Sequence, residues 1–508
     1  MKEANRMSKF IKITIVAVWV LSSLLLLDRV WLAPRRGLAL PGNPELGQAQ
    51  SESWMGVYIG EEKVGYSHST AGPDGKGGRF AQNRTTLRLS ALGAAQEVTT
   101  LLQYTMARDY SLRDFGFELY SESHDLKAKG RVSGNTLVLD ILSAGQSQRK
   151  TITLKGPLYL PESLEPLIAQ RKVKPGQKFS FQIVDPSTFD VAPMEIEYLG
   201  PESLDFQGKK VKALHLRSSF HNVVSESWSD ENGEALKETS ALGLVMVKET
   251  KEEALKFSSG GKAPDLLNKF AVPASRDIPE ARRARYLKVR IHGLEPAQWV
   301  KNLADWRQAV IPDSSPAKTD SVLTLAVTCE GPDSLRNGTL FLGSPALSHG
   351  RAADLEPTPL LQVNDPRIQK QARDIVGGEK DSWKASRKLS AWVYDNLAKK
   401  MTVSIPSALD VLESKEGDCN EHATLFCALA RAAGIPCRIV AGIVESEGAF
   451  YYHAWDLVYV GRWVAVDPTF GQDIADATHI KLIEGGLDKQ VDLVSVMGRL
   501  RIDVLEVR

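Results

Sequence analysis

The pattern of apolar and polar positions divides the chain into three regimes. Residues 10–27 are apolar except for Lys12, Thr14, Ser22 and Ser23, an 18-residue run at the short end of what spans a bilayer. From about Ser53 to Leu255, short runs alternate with period two, the signature of strands with one buried face. From Asp365 the period lengthens to that of helices, and after Cys437 it returns to strands.

In the second regime, residues 56–66 read as two strands around a polar turn. Residues 85–89, 99–104, 136–141 and 211–216 have strand character, and 161–171 form the one short helix. Residues 227–233 run as a strand into an Asn-Gly turn. The expectation is an antiparallel meander over 53–256, as a curved sheet or half-barrel. Its hairpins resemble bacterial envelope domains of the lipoprotein-carrier type. No residue set in it specifies a ligand, so it reads as a scaffold or substrate-positioning domain. Residues 257–283 follow as a linker, and strands at 286–291 and 322–327 predict a small β module over 284–354.

In the helical regime Asp365 is an N-cap with Pro366 at the first helical position. Ile368, Ala372 and Ile375 share a face, and Gly377-Gly378 ends the helix. A second helix over 382–398 carries Leu389, Trp392, Val393 and Leu397 at helical spacing, with Trp392 and Tyr394 read as core. Ser407 starts a third. Asp418 then caps a fourth, with Glu421 as the reciprocal partner of a capping box. Cys419 is its first residue, Ala423, Phe426, Ala430 and Ala433 its buried stripe, and Gly434 with Pro436 its stop.

Three strands follow, at 437–444, 450–459 and 462–467, and loop parity between the last two decides what His453 can meet. A two-residue loop at 460–461 puts His453 and Asp467 on opposite faces. A three-residue loop at 459–461 with Gly461 at a left-handed position sets them directly across from one another, and this register is expected. Tyr451, Trp455 and Leu457 then share the face of His453, while Val464 and Val466 pack on the other.

Composition narrows the function classes. The 508 residues carry a net charge of +1 with no dominating basic run, which argues against nucleic acid. The four cysteines lack a CxxC pair, so neither a disulfide scaffold nor a metal site is expected, and Cys427 and Cys437 read as small buried residues rather than a disulfide. At the N-terminus, Lys2, Arg6, Lys9 and Lys12 precede or enter the apolar run and no small-x-small site closes it. The expectation is a transmembrane signal anchor within 1–30, then a linker at 31–52, with the bulk on the extracytoplasmic, periplasmic side. The sequon at Asn337 is discounted.

The candidate chemistry is a cysteine at a helix start, a histidine 34 residues on and an aspartate 14 after that. Free N–H groups and the helix dipole at Cys419 are expected to stabilise a thiolate, and its backbone N–H to face an oxyanion. His453 would be the base and Asp467 its orienter. His422 reads as a helix-surface or capping residue, with the substrate groove as the alternative. Trp455 and Trp463 suit groove wall and core equally.

Residues 355–475 resemble the transglutaminase-like core, a variation on the papain arrangement. The resemblance lies in 417–419 (Gly-Asp-Cys), 431–438 (Arg-Ala-Ala-Gly-Ile-Pro-Cys-Arg), 453–455 (His-Ala-Trp) and 463–469 (Trp-Val-Ala-Val-Asp-Pro-Thr). It implies an α+β fold, helices packed on an antiparallel sheet over 355–480, after the all-β domain and before a C-terminal strand or tail at 481–508. It implies Cys419 as nucleophile, His453 as base and acid, and Asp467 as orienter. It implies no cofactor and no calcium loop. A protein or peptide substrate would pass through a thioester, resolved by water in a peptidase or by an amine in a transglutaminase. Hydrolysis is preferred. A non-catalytic scaffold module in an envelope complex is the reading from a different class.

Overall fold

The computed structural model describes residues 50–508 apart from 92–93, 122–124, 172, 187, 241–242, 257–268, 313–320, 332–334, 336–338 and 403–404. The apolar run at 10–27, most of the linker before Ser53 and the Asn337 sequon lie outside the described residues. Among the described residues no helix is long and apolar enough to cross a membrane.

Alternating patterns over the first half produce one fifteen-stranded sheet. The chain enters at its middle. Strands β1 (Ser51–Ile59) through β8 (Gln146–Thr153) step outward to one edge, and β9 (Leu158–Tyr159) through β15 (Leu244–Glu249) step from the other edge back to β1. Only residues 154–157 join β8 to β9, and four residues reach less than about 20 Å even when extended. The two edges are therefore brought round toward each other, and the sheet curls. Its concave face is filled from both arms: Leu102, Phe117 and Leu139 from the first, Phe179, Ile196 and Leu216 from the second. The helical turn predicted at 161–171 is a 3-10 turn, Pro161–Ser163, followed by a helix, Leu164–Ala169.

The described part of the segment read as a linker, residues 269–283, is built into the second half. Strand β16 (Val272–Pro273) pairs with residues 449–450, and Ala274 bridges to Ile502. The β module is likewise incomplete by itself. Strands β17 (Tyr286–His292), β18 (Gln308–Ile311) and β19 (Val322–Thr328) form a sheet whose fourth member is the C-terminal strand β26 (Arg501–Val507). The apolar faces of these strands have no core except the one they share with the following domain: Val272, Val289 and Ile502 pack with Ile443, Phe450 and Ile480. Residues 269–283 are thus paired into this unit rather than a free linker, and 481–508 contribute the C-terminal strand.

The helical regime gives α1 (Pro366–Val376), α2 (Ser382–Asn396), α3 (Ala408–Ser414) and α4 (Cys419–Ala432). Asp365, Asp381, Ser407 and Asp418 each accept a backbone N–H at the helix start. Between α2 and α4, β20 (Ala398–Lys399) and β21 (Glu416–Gly417) make a short parallel pair. Tyr394, expected in the core, is 39% exposed. Helix α4 is buried all round rather than along one stripe, since every residue from Glu421 to Ala430 is buried. It has α1, α2 and α3 on one side and the sheet on the other. That sheet is β22 (Cys437–Ser446), β23 (Ala449–Tyr459), β24 (Trp463–Val466) and β25 (Ile480–Glu484), joined by β16. The curled sheet meets this unit just before α4: Ser143 Oγ donates to Asp410 Oδ2 at 2.6 Å and Gln96 Nε2 to the Met401 carbonyl at 2.7 Å.

Candidate active site

The start of α4 is fixed by a complete capping box. The Asp418 carboxylate accepts the Asn420 and Glu421 N–H groups, and Glu421 Oε2 accepts the Asp418 N–H at 2.9 Å. Thr402 Oγ1 donates to the other Glu421 oxygen at 2.7 Å. Gly417 has φ +156°, and a Cβ there would lie 2.2 Å from Glu421 Cβ, so a side chain cannot precede this cap. The cap leaves the Cys419 N–H outside its hydrogen bonds.

The edge of β23 receives the thiol. On that edge β16 covers residues 449–450 and β24 covers 456–459, so 451–455 stay unpaired between two short neighbours. There the Ala454 N–H, at the peptide that directly follows His453, lies close enough to the Cys419 sulfur to favour its thiolate. Cys419 is partly exposed, whereas Cys427 and Cys437 are buried. Burial pushes the Cys419 thiol well above its ordinary pKa, and the Asp418 carboxylate adds to this; the Ala454 N–H opposes it. The resting thiol is thus neutral, against the expectation of a thiolate stabilised by the helix start. Burial of the sulfur is the main physical reason, and the acidic cap residue Asp418 adds to it.

His453 and Asp467 share a face and meet. The hairpin pairs Asp456 with Val466 and Tyr459 with Trp463, so its loop is Val460-Gly461-Arg462. This has the odd length expected but begins one residue later. Gly461, at φ +111°, sits in the middle of the loop, and the Val460 N–H donates to the Arg462 carbonyl. In this register Asp467 lies diagonal to His453 rather than directly across. An Asx-type turn closes the difference. Asp467 Oδ1 accepts the Thr469 and Phe470 N–H groups at 2.7 and 3.1 Å, and Oδ2 accepts His453 Nε2–H at 2.8 Å. A carboxylate only accepts, so His453 carries its proton on Nε2 and Nδ1 is left as the basic atom. Phe470 lies parallel to the His453 ring, 4.8 Å between centroids.

A second histidine, not identified from the sequence, completes the environment of Asp467. His479 Nε2–H donates to the same Oδ2 at 2.9 Å, and the residue is fully buried. Burial alone would raise the Asp467 pKa; the two imidazoles outweigh it and hold the carboxyl well below the usual range.

The other sequence candidates are placed elsewhere. His422 is fully buried, not on the helix surface, and its Nδ1–H donates to the Asp418 carbonyl at 2.7 Å. Burial depresses its pKa and keeps it neutral. Trp455 is buried with Leu457 and Ala465, 6.2 Å from His453 between ring centroids. Trp463 sits at the hairpin turn under the Arg438 guanidinium, at the far end of β24 from Asp467. None of the three forms an open groove wall. Among the described residues, two groups have ligand atoms close enough for a metal: His453, Asp467 and His479, and Cys427, Cys437 and Asp456. In the first, both histidine Nε2 atoms are already engaged with Asp467 Oδ2. In the second, both cysteines are free and buried, and the Cys437 thiol donates to Asp456 Oδ1 at 3.6 Å.

A family model described as the transglutaminase-like superfamily matches residues 369–468. Kyphoscoliosis peptidase of Mus musculus is 35% identical over 81 residues, 14% of this chain and 12% of that protein. The Homo sapiens protein of the same name is 34% identical over 76 residues, 13% of this chain and 12% of its own length. The matched stretch is thus a small part of these curated relatives. A crystal structure described as a candidate cysteine protease from Cytophaga hutchinsonii has 18% identity and a TM-score of 0.31, covering 44% of this chain and 86% of its own. A β-barrel-like protein from Brucella abortus, of a domain of unknown function, has 9% identity and a TM-score of 0.33, covering 40% and 96%. Residues 369–468 of this chain are a transglutaminase-like superfamily core.

Proposed function

We propose that the chain is a membrane-anchored thiol acyl-enzyme that cleaves amide bonds of proteins or peptides through a thioester. The reading rests on one observation: the 2.8 Å His453–Asp467 bond leaves Nδ1 basic beside a strand edge that holds the Cys419 thiol. Cys419 attacks the carbonyl while its proton passes to His453 Nδ1, so no thiolate need exist at rest. The S–C bond forms, and the oxyanion takes the Cys419 N–H. As the C–N bond breaks, the imidazolium gives its proton to the leaving amine. Water then adds under His453 as base, the C–S bond breaks, and the thiol recovers its proton. Hydrolysis is preferred to amine transfer because the curated relatives are named as peptidases. Residues 10–27 are the proposed anchor, with the core extracytoplasmic.

Labelling by iodoacetamide tests the nucleophile. Cys419 should react selectively and lose most of that reactivity in His453→Ala; equal labelling of Cys427 and Cys437 would defeat the reading. Incubation of candidate proteins with and without a primary amine separates cleavage from amine incorporation.

A further inference from the structure

His479 does more than fill space. It stands between two carboxylates, with Nε2 2.9 Å from Asp467 Oδ2 and Nδ1 3.3 Å from Asp476 Oδ1. Asp476 is anchored on its other sides. Its Oδ1 accepts the Thr478 N–H at 2.7 Å, its Oδ2 accepts Gln472 Nε2–H at 2.9 Å, and Arg282 Nη1 lies 3.0 Å from Oδ2. Arg282 comes from the segment before β17, outside the matched core, and its guanidinium also sits 4.7 Å over the Phe470 ring. Phe470 in turn stacks on His453. Two chains of contact therefore run from Arg282 to the imidazole of His453, one through Phe470 and one through Asp476, His479 and Asp467. Trp455 closes the remaining side of His479, edge-on at 5.2 Å.

We infer that His479 is a positioning residue for the proposed triad, clamping Asp467 from the side opposite His453 and tying it through Asp476 to Arg282. This rests on the thiol acyl-enzyme reading above. The physical argument is one of exclusion. His479 is fully buried, so no water replaces its donor if it is lost. With an apolar residue in its place, Asp467 Oδ2 has a free sector and Asp476 faces it across the gap without an intervening donor. The carboxylate can then rotate away from His453 Nε2, and the imidazole loses its fixed orientation. A role confined to packing would make volume the only relevant property of residue 479. A clamp makes its donor relevant, and a glutamine, whose Nε2 can occupy the place of the imidazole Nε2–H, would preserve that.

The test is acylation of Cys419 by p-nitrophenyl acetate in the full-length protein, followed as the p-nitrophenolate burst from mildly acid to alkaline pH. His479→Ala should lower the burst rate about tenfold to a hundredfold, the worth of one hydrogen bond to a charged group, with burst amplitude unchanged. His479→Gln should return to within about threefold of wild type, because the donor to Oδ2 is restored. Asp476→Asn, which keeps the volume, should give an intermediate loss. An alanine variant that folds, by near-UV circular dichroism, and acylates within twofold of wild type overturns the inference. So does a folded glutamine variant that recovers nothing. Wild-type acylation in His453→Ala would instead defeat the underlying acyl-enzyme reading, whatever residue 479 does.

Discussion

Replacing Asp467 by Asn changes one atom's chemistry and almost no volume. The carboxylate accepts four N–H groups: Thr469 and Phe470 at Oδ1, His453 and His479 at Oδ2. Asparagine keeps an acceptor for the two turn amides but turns its NH2 toward the two imidazoles, so donor meets donor. His453 can escape only by moving its proton to Nδ1, which removes the lone pair that would take the thiol proton. Breaking a buried charge pair by loss of one partner costs about 3–5 kcal/mol. A wrong histidine tautomer costs about four orders of magnitude in rate in serine proteases. The expected outcome is therefore a urea unfolding free energy lower by about 3–5 kcal/mol and a p-nitrophenyl acetate burst rate lower by about 10³–10⁴-fold. The pH dependence carries a sign. The folded-state pKa of Asp467 is depressed, so its contribution is fully present above the unfolded value and is lost as pH falls toward the folded one. The stability gap between wild type and variant should hold at neutral pH and shrink below about pH 4. A variant that acylates at the wild-type rate, or a stability gap that stays constant into acid, would refute the reasoning.

Other perturbations probe the surrounding frame. Gly417→Ala places a Cβ against Glu421 in a backbone conformation that suits only glycine, and should cost about 1–3 kcal/mol in urea unfolding with slower Cys419 labelling; unchanged labelling would mean the cap does not set the thiol. Alkylation of Cys419 by iodoacetamide should keep rising with pH beyond the range of an ordinary thiol, because burial and Asp418 raise its pKa; a rate already saturated at neutral pH would establish a preformed thiolate instead. Deleting residues 501–508 removes a neighbour of β17 and the fully buried Ile502, and should destabilise the transglutaminase-like unit by at least about 3 kcal/mol, read as a lowered melting temperature; an unchanged melting temperature would show the strand to be dispensable.

The site was legible where its chemistry is local. A capping box and a helix-start cysteine are adjacent in sequence, and hairpin parity follows from loop length, so Cys419, His453 and Asp467 could be named in advance. The diagonal offset could not, because one residue of loop phase depends on which backbone angles Gly461 and its neighbours adopt. His479 escaped for a different reason. It precedes β25, which pairs with β22 on the side away from β24, and nothing in the local pattern sends that approach beneath Asp467. The polar run Asp476–Thr478–His479 before an apolar strand was the available signal. The segment at 257–283 looked like a linker because pairing with distant partners leaves no periodic trace in so short a strand as β16. A helix start offers N–H groups that favour a thiolate, but this sulfur is buried and lies beside the Asp418 carboxylate, and both oppose ionisation.

The curled sheet has a seam. Apart from β9, which pairs parallel to the next strand, each arm is a series of hairpins whose strands are neighbours in sequence, yet β1 and β15 pair residues as far apart as Trp54 and Glu249. Loop-closure entropy opposes that pairing until both arms exist, so the arms can assemble first and the seam last. For a chain synthesised from its N-terminus, this puts completion of the sheet just before the thiol domain emerges. Pulse-labelling hydrogen exchange during refolding should find the amides of β1 and β15 protected later than those of the hairpins around them.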